Sequence, residues 1–120
     1  MKNFKIEEFS CPCCGRADMD EDFLWKLDFA WTLASVPFVV TSGFRCPKHN
    51  KRVGGSSTSS HMKGLAADIA VPDDHSRFRI IWGLIHAGFK RFGNGNGFIH
   101  IDADPDKNRE RAWTYYKGAK

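Results

Sequence analysis

The sequence predicts an α+β domain in which helices flank an antiparallel β-sheet. Three observations lead there. Two segments repeat their apolar residues at helical spacing, and short apolar or β-branched runs bounded by turn formers lie between and after them. The string Gly93-Asn94-Gly95-Asn96-Gly97 predicts a tight reversal joining two neighbouring strands. At 120 residues, with 42% hydrophobic content, ten Phe and four Trp, the chain fills one core and leaves no room for a second. A single domain over residues 1–120 is therefore expected, with segment 1–19 packed onto it.

The first helix is expected from Asp20 to Ser35, capped by Asp20 or Asp22, with Phe23, Leu27, Ala30, Trp31 and Ala34 on its core face and Pro37 beyond its end. Phe38–Thr41 has the composition of a buried strand. A Gly- and Ser-rich loop, 54–60, leads to a strand at Leu65–Val71, closed by Pro72-Asp73-Asp74. A second helix is expected over Ser76–His86, with Phe78, Ile81, Trp82 and Ile85 on its apolar face and Gly88 as its stop. Phe89–Phe92 and Phe98–Ala103 complete the expected strands.

Chemistry concentrates in Ser59-Ser60-His61-Met62-Lys63-Gly64-Leu65-Ala66-Ala67-Asp68, where a histidine precedes a carboxylate by seven positions, and in a second histidine, His100. Two histidines and one carboxylate, with a fourth position left to water, form a complete donor set for a catalytic zinc. Alternation along the strands puts His100 and Asp102 on one face with Ile99 and Ile101 on the other, and Asp68 on a face opposite Ala67, Ile69 and Val71. If the two strands are neighbours, Asp68 and His100 converge and the loop delivers His61. By themselves, a histidine in a Ser-rich loop is ordinarily solvated, and one on an Ile-flanked strand is ordinarily a satisfied core residue.

The pattern Ser-x-His-x-x-Gly-x-Ala-x-Asp, preceded by Ser42-Gly43-Phe44-Arg45-Cys46-Pro47-Lys48-His49-Asn50 and Val53-Gly54-Gly55, resembles a known family. It is that of the zinc D-Ala-D-Ala carboxypeptidases, VanX dipeptidases and phage L-alanyl-D-glutamate endopeptidases, with the hedgehog domain as a distant relative. The likeness is strongest to short phage and prophage members, close over residues 38–103 and looser at Phe9–Gly15. It implies a hedgehog/DD-peptidase-like fold with zinc on the concave face of the sheet, held by His61, Asp68 and His100. It also implies hydrolysis of an amide bond in peptidoglycan stem peptides. An endolysin-type L-Ala-D-Glu endopeptidase comes first, a D-Ala-D-Ala carboxypeptidase second, and a catalytically silent zinc-binding module is a third reading.

Several branches of that family carry an acidic base three residues before the last histidine, where this chain has Gly97. Asp102 is the favoured substitute, with Asp104 nearby, although Asp102 could instead orient a ligand histidine. Arg45 matches an arginine at the substrate end of the pocket, suited to a peptide carboxylate, or else a brace of its own loop. Ser59 matches a serine that donates to substrate or loop. Asn50, Gly54 and Gly55 are expected to shape the backbone, and Trp113 and Tyr115 to line a cleft or plug the core.

The cysteines raise a separate expectation. Cys11-Pro12-Cys13-Cys14-Gly15 contains half of a zinc knuckle, and Cys46-Pro47-Lys48-His49 offers a matching half, so Cys11, Cys14, Cys46 and His49 could hold a second, structural zinc. Reduced thiols, or a disulfide formed after release, are the alternatives. Such a site would also suit a small zinc-stabilised nucleic-acid module. Nothing here resembles a basic recognition helix, so no nucleic-acid partner is expected.

The net charge of +4 favours an anionic surface without forming a charged tail. No signal peptide or membrane-spanning segment is read. The chain is expected to be a monomer, cytoplasmic as synthesised, that reaches the cell wall through a holin, lysis or a phage particle.

Overall fold

The structure, a computed structural model, describes residues 1–115; the last five residues of the expected 1–120 domain lie outside the described residues. Asp20 starts the first helix by accepting a hydrogen bond from the Phe23 N–H at 2.9 Å, which satisfies one of the orphan donors of the first turn. This helix, α1 (Glu21–Ala34), ends at Ser35 in the left-handed region. It buries Phe23, Leu27, Ala30 and Ala34 as the spacing predicts, and Leu24 besides, with Trp31 packed at the edge of the core.

Strand β1 (Val40–Ser42) follows, then a short helix α2 (Pro47–Arg52), β2 (Ala66–Ala70), α3 (Asp74–His86), β3 (Arg91–Asn94), β4 (Phe98–Asp102) and β5 (Arg111–Thr114). The five strands form one sheet in the order β1-β2-β4-β3-β5. All pairings are antiparallel except that of β3 with β5, which is parallel, so the expected antiparallel sheet is in fact mixed.

The sheet has a dry face and a polar face. Ala67, Ile69, Ile99 and Ile101 are fully buried against α1 and α3. Burying each isoleucine contributes about 1.5–3 kcal/mol before entropy is counted. On α3 the expected face is corrected in part: Ile81 packs against the core, but Phe78 and Ile85 are exposed, and Ile80, Gly83 and Leu84 are the buried residues. This helix is apolar on more than one side, and the stripe that meets α1 is the one containing the smallest residue. The helix also starts two residues earlier than expected, because Asp73 caps it through the Ser76 N–H at 2.7 Å.

The N-terminal segment is tied down by a buried carboxylate. Asp28 of α1 accepts from the backbone N–H groups of Lys2, Asn3 and Phe4 at 3.1, 2.7 and 3.2 Å. Phe4 and Phe9 thereby enter the core beside Phe38 and Trp31. Asp28→Ala leaves those donors without their acceptor. It is expected to cost about 3 kcal/mol and to lower the Tm by roughly 10 °C in thermal denaturation; a shift under about 3 °C would contradict the assignment.

Candidate metal centre

The polar face of the sheet brings the two histidines and the carboxylate together. Asp68 and His100 are direct partners in the β2–β4 register, so their side chains emerge side by side. His61 arrives on a single 3-10 turn, Ser60–Lys63, whose start is capped by the Ser59 hydroxyl accepting from the His61 N–H at 3.2 Å. Gly64 ends this turn at φ +70, and a Cβ there would sit 2.1 Å from the Asp18 carbonyl oxygen, so only glycine lets the chain turn into β2 at this point.

One oxygen of Asp68 lies 3.3 Å from His61 Nε2 and 2.9 Å from His100 Nδ1. One donor atom from each of the three residues falls within 4.8 Å of the others. In a tetrahedral zinc site with N and O arms of about 2.0–2.1 Å, ligand atoms stand roughly 3.3 Å apart, so the donor set and its spacing suit that ion. Burial opposes ionisation of Asp68, but hydrogen bonding to His100 and His61 outweighs it and holds the carboxyl well below its usual range. Burial likewise disfavours a charged His100, yet Asp102 and Asp68 together raise its pKa.

Each ligand is held from behind. The His61 Nδ1 lies 2.8 Å from the Gly43 carbonyl, leaving Nε2 toward Asp68. The Arg45 guanidinium reaches Asp68 at 3.6 Å while its Nε donates to the Ser42 hydroxyl at 3.1 Å and its Nη1 to Asn50 Oδ1 at 3.4 Å. His100 Nε2 lies 2.8 Å from Asp102 Oδ2, and the other Asp102 oxygen is paired with Arg91 Nε at 2.6 Å. Asp102 is almost fully buried, and although burial resists its ionisation, His100 and Arg91 lower its pKa.

Asp104 does not reach the cleft. It is buried where it accepts from the Ser60 hydroxyl at 2.8 Å and from Lys63 at 3.1 and 2.9 Å, pinning the His61 turn to the end of β4. Gly97 stands in the β3–β4 turn at φ +78.

The three residues open onto a cleft of about 390 Å³ whose walls include Arg45, Arg91, Lys107, Phe98, Trp113 and Tyr115. Trp113 lies with its ring 5.8 Å from that of His100, under the Arg91 guanidinium at 4.8 Å. Gly93 makes room for it, since a Cβ there would stand 2.4 Å from the indole nitrogen. Both aromatics thus take the cleft-lining place that was one of their two expected roles.

Sequence reasoning missed Arg91, Lys107 and the Gly43 carbonyl. A backbone oxygen leaves no mark in composition, and Arg91 was hidden in a segment read only for its apolar residues.

Residues 2–102 match the family model described as peptidase M15. No curated protein matches the chain at a significant level.

Proposed function

Because the chain belongs to the peptidase M15 family of zinc metallopeptidases, we propose that it hydrolyses an amide bond of peptidoglycan stem peptides, with His61, Asp68 and His100 as the zinc ligands. The observation that carries this reading is the convergence of those three donors at the floor of an open cleft. When bound, zinc supplies a water of lowered pKa and polarises the scissile carbonyl. The protein's part is to keep both histidine rings in one orientation and Asp68 ionised. The Gly43 carbonyl, the Arg45 guanidinium and the Asp102 carboxylate do this from three sides.

Of the two roles left open for Asp102, we assign the positioning one. With His100 offering Nδ1 to the metal, its Nε2–H donates to Asp102 Oδ2, the carboxylate–histidine arrangement that fixes ring and tautomer. Both oxygens are engaged and the pKa is lowered, which makes Asp102 a weak acceptor for the proton of the attacking water. Ser59 acts through the turn that carries His61, and Arg45 through Asp68.

An L-Ala-D-Glu endopeptidase is favoured over a D-Ala-D-Ala carboxypeptidase by the state of the cleft's cations. A carboxypeptidase needs a cation free to clamp the terminal carboxylate. Arg45 is shared among Ser42, Asn50 and Asp68; Arg91 is held by Asp102 and the Asn108 carbonyl; Lys107 donates to Ser60. These three cations outnumber the two carboxylates in the lining, Asp68 and Asp102, an excess of positive charge suited to the acidic second residue of the stem. No helix among the described residues is long and apolar enough to cross a membrane. We place the protein's action at the cell wall after release from the cell that makes it.

Mass spectrometry of defined muropeptides incubated with zinc-loaded protein, beside a chelated control, tests the reading. The expected product is split between the first and second stem residues and disappears with chelator. Loss of a terminal D-Ala instead would establish the carboxypeptidase. Absence of any product from several peptidoglycan types would favour the silent zinc module, the reading that Gly97 in place of an acidic residue supports.

A further inference from the structure

A second cluster of soft donors lies away from the cleft, where the N-terminal segment meets the loop entering α2. One sulfur each from Cys11, Cys14 and Cys46 falls within 4.8 Å of the other two, and all three cysteines are unbridged. The Cys11 and Cys46 sulfurs are 3.7 Å apart. Thiolates about 2.3 Å from a tetrahedral zinc stand roughly 3.8 Å from one another, so the observed separation is that of two ligands on one ion. Three sulfurs gathered at one point also exceed what a single disulfide uses.

The backbone is arranged as it is around a thiolate. The Cys46 N–H points at Cys11 Sγ at 3.5 Å. The His49 N–H donates to Cys46 Sγ at 3.4 Å, making the sulfur the N-cap of α2. An independent observation concerns the fourth position. His49 Nδ1 is a buried side-chain polar atom with no hydrogen-bond partner, an arrangement that is costly unless something else satisfies it. It belongs to the residue three positions after Cys46, on the first turn of the helix that this cysteine caps, and its ring stands outside the 4.8 Å group that the three sulfurs form.

The geometry points to a structural zinc held by Cys11, Cys14 and Cys46, with the His49 ring turning onto the cluster as fourth ligand. Each thiol gives up its proton as the metal binds, and four protein donors leave no position for water, so this site is structural and not hydrolytic. Its consequence is mechanical. It ties the Cys11–Cys14 turn to the segment that supplies the Gly43 carbonyl to His61 and Arg45 to Asp68. That segment is otherwise joined to the N-terminal part by the Phe44 N–H on the Phe9 carbonyl at 2.9 Å. The inference stands apart from the peptidase reading, since it asks nothing of the substrate.

Cobalt substitution under non-thiol reductant tests it, because thiolate-to-cobalt charge transfer absorbs in the near ultraviolet and a His/Asp/His site cannot produce it. The wild-type protein is expected to bind about two metal ions per chain and to show that band. His61→Ala should lose one ion and keep the band; Cys14→Ser should lose the band. Cys13→Ser should keep both ions. His49→Ala should weaken the thiolate site by roughly ten-fold or more, and His49→Cys should restore it with a stronger band. If Cys14→Ser fails to fold, the wild-type spectrum and stoichiometry still decide. Wild-type protein that binds a single ion and lacks the charge-transfer band overturns the proposal, as does a His49→Ala variant with unaltered affinity for the thiolate-bound metal.

Discussion

Replacing His61, Asp68 or His100 with alanine is expected to remove one zinc per chain and, with it, hydrolysis of muropeptides. The metal's contribution to the transition state is several kcal/mol, so kcat/KM should fall on the order of 10³-fold or more. The variants should differ in stability. His61→Ala empties a nearly fully buried position and frees the Gly43 carbonyl, whereas His100→Ala also strips Asp102 of one partner and leaves it to Arg91 alone. Metal content by elemental analysis, read beside activity, checks this. Activity that survives all three changes would remove the site from the mechanism.

The Asp102→Asn variant carries the second large effect, because it separates the two roles for that residue. As a positioning group, Asp102 keeps the proton on His100 Nε2 and so presents Nδ1 to the metal. The amide keeps an acceptor but weakens both that hydrogen bond and the pairing with Arg91. Zinc affinity and kcat/KM are expected to fall together by about 10–100-fold, with the acidic limb of the pH–rate profile retained. A general base would behave differently: zinc affinity would be unchanged, kcat would collapse, and the acidic limb would vanish. Chelator titration and a pH profile of the variant distinguish the two.

What the sequence made legible, and what it hid, follows from range. The Asp68–His100 pairing could be read because each residue sits in a strand whose apolar alternation declares its inward face, and the condition it needed, that the two strands be neighbours, is met. The core face of α1 was a local property and equally readable, as was its cap to within the two candidates Asp20 and Asp22, of which Asp20 serves. The face of α3 was not, since Phe78 and Ile85 are as apolar as Ile80 and Leu84, and only the close packing against α1 chooses between them. Strand β5 escaped because Arg111-Ala112-Trp113-Thr114 lies at an edge, largely exposed, with neither alternation nor a continuous apolar run. Helix α2 escaped because it is short and polar, and its start is marked by Pro47 and a cysteine sulfur rather than by a customary capping oxygen.

The same limit explains the site's supports. Arg45 was legible as a cation near the cleft, but its use as a brace depends on Ser42, Asn50 and Asp68 lying around it in space. Arg91 is a comparable case: it engages Asp102 and stacks over Trp113, residues 11 and 22 positions further along the chain.

Diffraction at the zinc edge from crystals of the zinc-loaded protein tests the central claim most directly. The account predicts an anomalous peak bounded by His61 Nε2, an Asp68 oxygen and His100 Nδ1, with His100 Nε2 still on Asp102. A zinc bound through His100 Nε2, or ligated by Asp102 itself, would contradict it.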